Sequence, residues 1–402
     1  MTPDILVVGG GISGLAFAFK ASQAGKRVLV LERGAAAGGC LRSVRSGDGF
    51  WYELGGHTVY NSYGGFLDMA VGTGVAKTLV ERGPARATFG LLRDGKYKWL
   101  SPPKVLRELS WLEVLTHAPV GVFRSKAGQT MRSHFSRLIG PKNYDRVLAP
   151  FLAAVPSQSA DGFPAEGDGS LFKTRPRRKE FPRSFGIPGG LQTVCDAVAA
   201  APGVTVETGA PATRLTRTAG GLSVETGDGR VLSAPIVALA VAPAVAAALL
   251  AESEPGLAAT LGRVKDVAVE SMGVVVPREA VWMPECAFLV PVNDAFHSAV
   301  TRDPFPDERR RAFTFHFKPG LSRADKIARI AEVLRLAPDA LGEPAESRVT
   351  LPSPELGHGE IVKDLDRQLA GTKLALTGNY FAGLAIEDCV QRSFSEWARV
   401  TA

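Results

Sequence analysis

Apolar residues cluster into runs whose lengths predict an alternation of strands and helices. Ile5-Leu6-Val7-Val8 is apolar at every position, the mark of a strand buried on both faces. Leu15 to Gly25 suits a helix closed by glycine, and Arg27 to Leu31 predicts a second buried strand that ends at Glu32. Thr88 to Trp99 predicts two strands around Asp94-Gly95, and after Pro102 helices are expected at 103–116, 127–139 and 141–152. Strands are predicted at 205–207 and 212–215. A hairpin follows, with arms 222–226 and 230–232 around Gly227-Asp228-Gly229. The apolar run from Ile236 to Ala251 is short for a membrane span and contains Pro243, so it reads as a buried strand, a turn and a helix start. Further strands are predicted around 267–276, 287–292 and 312–317, with a helix from Arg323 to Leu336. A strand at 373–377 and a helix at 384–400 complete the pattern.

Composition narrows the class. Among 402 residues, 45% are hydrophobic and 22% charged, which excludes a disordered chain. The net charge of +7 admits nucleic acid, anionic lipid or an acidic small molecule as partner. No basic helix, zinc-finger spacing or aromatic RNA-binding motif accompanies it, so no nucleic-acid partner is expected. Cys40, Cys195, Cys286 and Cys389 are far apart, without a zinc or dithiol signature, and predict free thiols in the cytoplasm. A signal peptide is not expected, because the chain enters a strand almost at once. No metal cluster or Ser-His-Asp set stands out.

The sharpest chemical signal follows the first strand. Gly9, Gly11 and Gly14, with Ile12 and Ser13 between them, satisfy G-x-G-x-x-G. The first glycine permits a tight turn, the second lets a pyrophosphate approach the backbone, and the third lets helix and strand pack closely. Helix amides then face the phosphates. Glu32 stands 18 residues after Gly14, at the end of the second strand, where its carboxylate accepts ribose hydroxyls and repels a 2′-phosphate. Strand, turn, helix, strand and acid in this order predict a dinucleotide site.

After Glu32-Arg33 come Gly38-Gly39-Cys40-Leu41-Arg42-Ser43 and Glu53-Leu54-Gly55-Gly56-His57-Thr58. These resemble the second glycine motif of the flavin amine oxidase superfamily, which includes monoamine oxidases, phytoene desaturases and protoporphyrinogen oxidases. The resemblance implies an extended FAD. Gly38, Gly39 and Arg42 would contact its phosphates, Arg33 would lie near it, and Gly55, Gly56, His57 and Thr58 would face the isoalloxazine. Within the superfamily, three blocks are most similar to protoporphyrinogen oxidases. They are 38–44, with Cys40 where that family has a basic residue; 185–193; and Gly378-Asn379-Tyr380, running into Gly383, Leu384, Ala385, Ile386, Cys389 and Val390. Ala212 is the position that matches the family's adenine contact.

The fold class so implied is α/β, with a discontinuous FAD-binding Rossmann-like domain of glutathione-reductase type (1–78, 187–250 and 350–402). An inserted mixed-sheet substrate domain would take 79–100 and 251–349, and a helical lobe 101–186. The implied activity is FAD-dependent oxidation of protoporphyrinogen IX or a related porphyrinogen, with oxygen as acceptor. The substrate would be lipophilic and carboxylated, and Lys98 is placed where the family pairs a basic residue with a propionate. His57, beside the flavin, is a candidate to stabilise negative charge or shuttle a proton. Peripheral contact with the inner face of a membrane is implied for the helical lobe, where Trp111, Leu112, Val114 and Leu115 form a stripe. The basic run 173–179 would attract anionic headgroups or substrate carboxylates. A flavin desaturase or amine oxidase, a flavin-dependent sugar-nucleotide mutase, and a non-catalytic FAD-binding protein stay open as alternatives.

Overall fold

A computed structural model describes residues 2–121, 125–218 and 221–402. Two sheets dominate it. The first is five-stranded and all parallel, in the order Val204–Glu207, Val28–Leu31, Ile5–Val8, Ile236–Leu239, Leu374–Leu376. Its central strand, Ile5–Val8, is buried throughout, because helices cover one face, and the antiparallel strands Ala212–Thr218, Gly221–Thr226 and Val231–Ala234 help cover the other. The helix that follows runs from Ile12 to Gln23, starting three residues before the expected Leu15, because Gly11 already serves as its N-cap. Gly25, at φ +73°, lies just past its end. The terminal helix, Ile386–Thr401, packs on this first helix. Ser393 donates to the carbonyl of Ser13 at 2.8 Å, and Phe17 meets Trp397 edge to face. So the last 17 residues of the chain brace the glycine turn at its start.

The second sheet is mixed and seven-stranded: Ala345–Pro352, Asp266–Pro277, Arg310–Phe317, Phe296–Thr301, Phe288–Pro291, Phe89–Arg93, Lys96–Leu100. Only Phe288–Pro291 and Phe89–Arg93 run parallel among these neighbours. Two of its strands, 296–301 and 345–352, were not expected from the pattern. The second of them contains residue 350, so the change from one sheet to the other comes after Pro352 rather than at the expected boundary. The segment 51–57 lies across this sheet. Thr314 donates to the carbonyl of Glu53 at 2.6 Å, and Gly273 leaves room for Tyr52, whose ring would stand 2.5 Å from a Cβ there. This contact joins the glycine-rich arm to the second sheet.

The helical region departs from expectation at two points. The stretch 103–116 is not one helix but a 3₁₀ segment, Pro102–Glu108, and an α-helix, Trp111–Gly121. The break is held from a distance. The Asn143 side chain accepts from the Ser110 amide at 2.7 Å and donates to its carbonyl at 2.9 Å. The next helix begins at Met131 rather than 127, because Thr130 caps it by accepting from the Ser133 amide. The stretch 141–152 is helical with a π turn at Tyr144–Leu148. A third, small sheet pairs Val59–Tyr60 and Val80–Glu81 with Ser184–Gly186.

Candidate cofactor site

Three glycines at the first turn differ in what surrounds them. A Cβ on Gly14 would stand 1.9 Å from the Gly9 carbonyl oxygen, so Gly14 serves helix-to-strand packing. Gly9 has φ +104°, and a Cβ there would meet the Ala240 oxygen at 2.4 Å. A Cβ on Gly11 meets nothing closer than the Gly39 Cα at 3.7 Å. Gly11 is therefore the one of the three with ordinary room for a Cβ, and it lies against the second glycine pair. The Gly38 amide donates to the Gly10 carbonyl at 2.9 Å, and Gly38 and Gly39 both hold left-handed φ, +127° and +58°. A cradle of bare backbone with amide donors, at the start of a helix, fits a pyrophosphate.

Glu32 reaches into the same groove. Its Oε2 accepts from the Gly10 amide at 2.7 Å and its Oε1 from the Gly34 amide at 2.6 Å. Two lone-pair positions of the carboxylate stay available for ribose hydroxyls. The Ala210 amide donates to the Glu32 carbonyl, and so carries the start of the strand Ala212–Thr218 past this end of the groove. Ala212 is thus brought to the Glu32 end of the groove. Arg33 and Arg42 are both exposed. Backbone at Arg42 accepts from the Leu54 amide, which ties the Gly38–Ser43 arm to the Gly55–Thr58 turn. That turn is held by position 40 as well: the Gly56 amide donates to the Cys40 carbonyl, and a Cβ on Gly55 would stand 1.9 Å from that oxygen. Position 40 thus acts here through its carbonyl, which a cysteine supplies as well as a basic residue does.

The carboxy-terminal block meets the same turn from the other side. A Cβ on Gly56 would lie 3.3 Å from Ile386 Cδ1, at the first residue of the terminal helix. Leu384, Ala385 and Ile386 are half-buried there. Gly378 has φ +155°, and Asn379 is half-buried. Tyr380 is different. Its ring packs at a tilt against Phe381 inside the core of the parallel sheet, and its backbone carbonyl is held by His358 Nε2 at 2.8 Å.

His57 does not stand alone. Its Nε2 lies 2.7 Å from Nε2 of His316, whose Nδ1 lies 2.8 Å from Ser271 Oγ. Burial, with the nearby charges of His316 and Arg82, holds His57 well below the ordinary histidine range. Burial, then His297, pushes His316 down to about 4. Both rings are neutral at pH 7. Sequence reasoning found His57 through its motif and missed His316, a lone histidine in a strand of phenylalanines. Glu53 was quoted only as part of a motif. Burial pushes its carboxyl up to about 7, against the hydrogen bonds of Ser43 Oγ and the Leu191 amide.

Lys98 is not brought to this turn. It sits on the outermost strand of the seven-stranded sheet, four strands from the one that carries His316, and its Nζ contacts Glu108 at 2.9 Å. The basic run is also largely engaged. Lys173 and Arg175 both pair with Asp388 in the first turn of the terminal helix, at 3.3 and 2.7 Å, and Arg178 pairs with Asp68.

Comparison with known proteins agrees with this geometry. The family model described as flavin containing amine oxidoreductase matches residues 12–282. A solved structure from Exiguobacterium sp. 255-15, provisionally named a protoporphyrinogen oxidase, superposes with a TM-score of 0.80 at 17% identity, covering 99% of this chain and 98% of that one. Putrescine oxidase bound to putrescine gives 0.70 at 16% identity over 100% and 99% of the two chains. Reduced UDP-galactopyranose mutase gives 0.74 at 15% identity over 100% and 96%. A zebrafish (Danio rerio) all-trans-retinol 13,14-reductase is 45% identical over 56 residues, which are 14% of this chain and 9% of that protein.

Proposed function

This chain belongs to the flavin-containing amine oxidoreductases, with FAD as cofactor, and on that premise we propose that it oxidises a porphyrinogen, protoporphyrinogen IX or a relative, with oxygen as acceptor. Bound FAD supplies a two-electron acceptor, and three two-electron oxidations carry a porphyrinogen to the aromatic porphyrin. The chain supplies position and electrostatics. Gly9, Gly11, Gly38 and Gly39 would hold the pyrophosphate, Glu32 the ribose, and the Gly55–Thr58 turn with Leu384–Ile386 the ring system. The observation that carries the substrate class is the Gly378-Asn379-Tyr380 to Cys389-Val390 block, which resembles that of protoporphyrinogen oxidases and packs, through Ile386, on the Gly55–Thr58 turn. The likeness to the Exiguobacterium protein over almost both whole chains supports it.

Anaerobic mixing of the yellow protein with protoporphyrinogen IX, a polyene, putrescine and UDP-galactopyranose tests the reading. Porphyrinogen is expected to bleach the flavin, and air to restore it with release of peroxide. Bleaching by the amine or the polyene alone would move the assignment to an amine oxidase or a desaturase. Turnover of the sugar nucleotide by reduced enzyme, without net redox, would move it to a mutase.

Peripheral membrane contact, on the cytoplasmic side, is part of the proposal. Among the described residues no helix is long and apolar enough to cross a bilayer. On the Trp111–Gly121 helix, Trp111, Leu112 and Leu115 are 54%, 75% and 69% exposed, whereas Val114 is half-buried. Leu106 is also exposed beside them, with Lys104 and Arg107 on the same segment. A fully buried apolar side chain contributes about 1.5–3 kcal/mol. Replacing Trp111, Leu112 and Leu115 by serine should therefore lower co-sedimentation with phosphatidylglycerol vesicles at least about tenfold. High salt should weaken binding only modestly, because Lys173, Arg175 and Arg178 already have carboxylate partners. Equal sedimentation of the variant and the parent would defeat the apolar stripe as the contact.

A further inference from the structure

We propose that His57, His316 and Ser271 form a proton wire between the turn that faces the flavin and the interior of the seven-stranded sheet, with His316 and Ser271 as positioning residues for His57. The proposal rests on the reading that the Gly55–Thr58 turn faces the flavin; the contacts of the wire itself do not.

Two ring nitrogens 2.7 Å apart have room for one proton between them. One ring must donate and the other accept, so each ring fixes the tautomer of its neighbour. If His57 Nε2 carries the proton, His316 Nε2 accepts it, and His316 Nδ1 then carries a proton toward Ser271 Oγ. His57 Nδ1 is left as a base. In the opposite array, Ser271 donates to His316 Nδ1, His316 Nε2 donates to His57 Nε2, and His57 Nδ1 carries a proton. The two arrays differ by the transfer of one proton along the chain. A proton accepted at His57 Nδ1 forms a new N–H bond. The Nε2–H bond of His57 breaks as one forms at His316 Nε2, and the Nδ1–H bond of His316 breaks as one forms at Ser271 Oγ. Ser271 releases its original hydroxyl proton toward Ser347, its cross-strand neighbour. No electrons move, and both rings end neutral.

The surroundings suit a wire better than a stored charge. The titratable groups that act on the pair are Arg82, on His57, and His297, on His316, with Lys318 beyond; among the described residues no carboxylate is a cause of the shift of either ring. Polar surroundings lie beyond both ends. His57, Arg82 and Thr314 line a partly open cavity of about 20 Å³, enough for one water molecule. At the other end, Ser271 pairs across the sheet with Ser347, which is half-buried on the edge strand.

Nitrogen-15 spectra of histidine-labelled apoprotein test the wire without flavin. Both rings should be neutral from pH 6 to 8, with one exchange-protected proton between the two Nε2 atoms. His316→Phe should release His57 from its single tautomer. His316→Gln separates positioning from relay, because an amide holds His57 but does not pass protons through a second site. In holoenzyme, flash photoreduction of FAD with a pH-indicator dye in solution reads proton uptake. The Gln variant should retain FAD and its visible spectrum yet take up protons several-fold more slowly. Uptake at the parental rate would overturn the relay, and two imidazoles that titrate independently in the ordinary histidine range would overturn the wire. A chain that binds no FAD would defeat the flavin reading and leave the spectra to decide the contacts.

Discussion

Gly11→Val is expected to yield a folded but colourless protein. Gly11 has φ −75° and ψ 177°, ordinary extended backbone that valine adopts without strain. Its Cβ would meet only the Gly39 Cα, in ordinary contact at 3.7 Å, so the apoprotein can admit that carbon. The added side chain would occupy the backbone face that the proposed pyrophosphate must approach within van der Waals contact. Loss of that approach should raise the FAD dissociation constant by about 1000-fold, equivalent to ~4 kcal/mol. Gly14→Ala is the contrasting control. There a single methyl would stand 1.9 Å from the Gly9 carbonyl oxygen, so helix and strand would have to separate. It should lower the melting temperature of the apoprotein, whereas Gly11→Val should not. Flavin absorbance after reconstitution and apoprotein thermal melts separate the two effects. A Gly11→Val protein that binds FAD like its parent would place the pyrophosphate elsewhere.

This contrast also marks how much of the site is written locally. The glycine turn, the acid after the second strand and the Gly-Gly arm are each short-range patterns, and the structure brings them together at one groove. Asp94-Gly95 was readable for the same reason: both residues hold left-handed φ, +51° and +70°, as a two-residue hairpin turn demands. What was not readable depends on partners far along the chain. The helix break at Ser110 comes from Asn143, 33 residues on. His316 matters because strand register sets it against His57, 259 residues away. The edge strand Ala345–Pro352 carries alternating exposed Glu346, Arg348 and Thr350, a period-2 signal weakened by its polar content. Lys98 pairs with Glu108 because the chain folds back through the 3₁₀ segment, which the one-helix expectation for 103–116 did not provide for.

Glu53 should make this protein less stable as pH rises from 4.5 to 7. The residue is buried between the Gly38–Ser43 arm and the turn at 189–192. Its Oε1 accepts from the Leu191 amide at 2.8 Å, and its Oε2 lies 2.6 Å from Ser43 Oγ. Burial lifts the folded-state value to about 7 from 4.5, so the fold favours the neutral carboxylic acid. Between those two values the unfolded chain has released a proton that the folded chain keeps. Folding stability is therefore highest below pH 4.5 and falls until the folded group ionises near 7. A shift of this size corresponds to about 3 kcal/mol. His57 and His316 act in the opposite sense, since lowered histidine values add stability as pH rises toward 6.5. Their contribution is common to both proteins when the parent is compared with Glu53→Gln. The glutamine oxygen still accepts from Leu191 and its amide donates to Ser43, with nothing left to ionise. Urea unfolding at saturating FAD should show the variant gaining about 3 kcal/mol on its parent between pH 4.5 and 8. The gain at high pH should appear in FAD affinity too, because Ser43 belongs to the arm that carries Gly38 and Gly39. A parent-minus-variant difference that stays flat across this range would mean that Glu53 ionises in the folded protein as easily as in the unfolded chain.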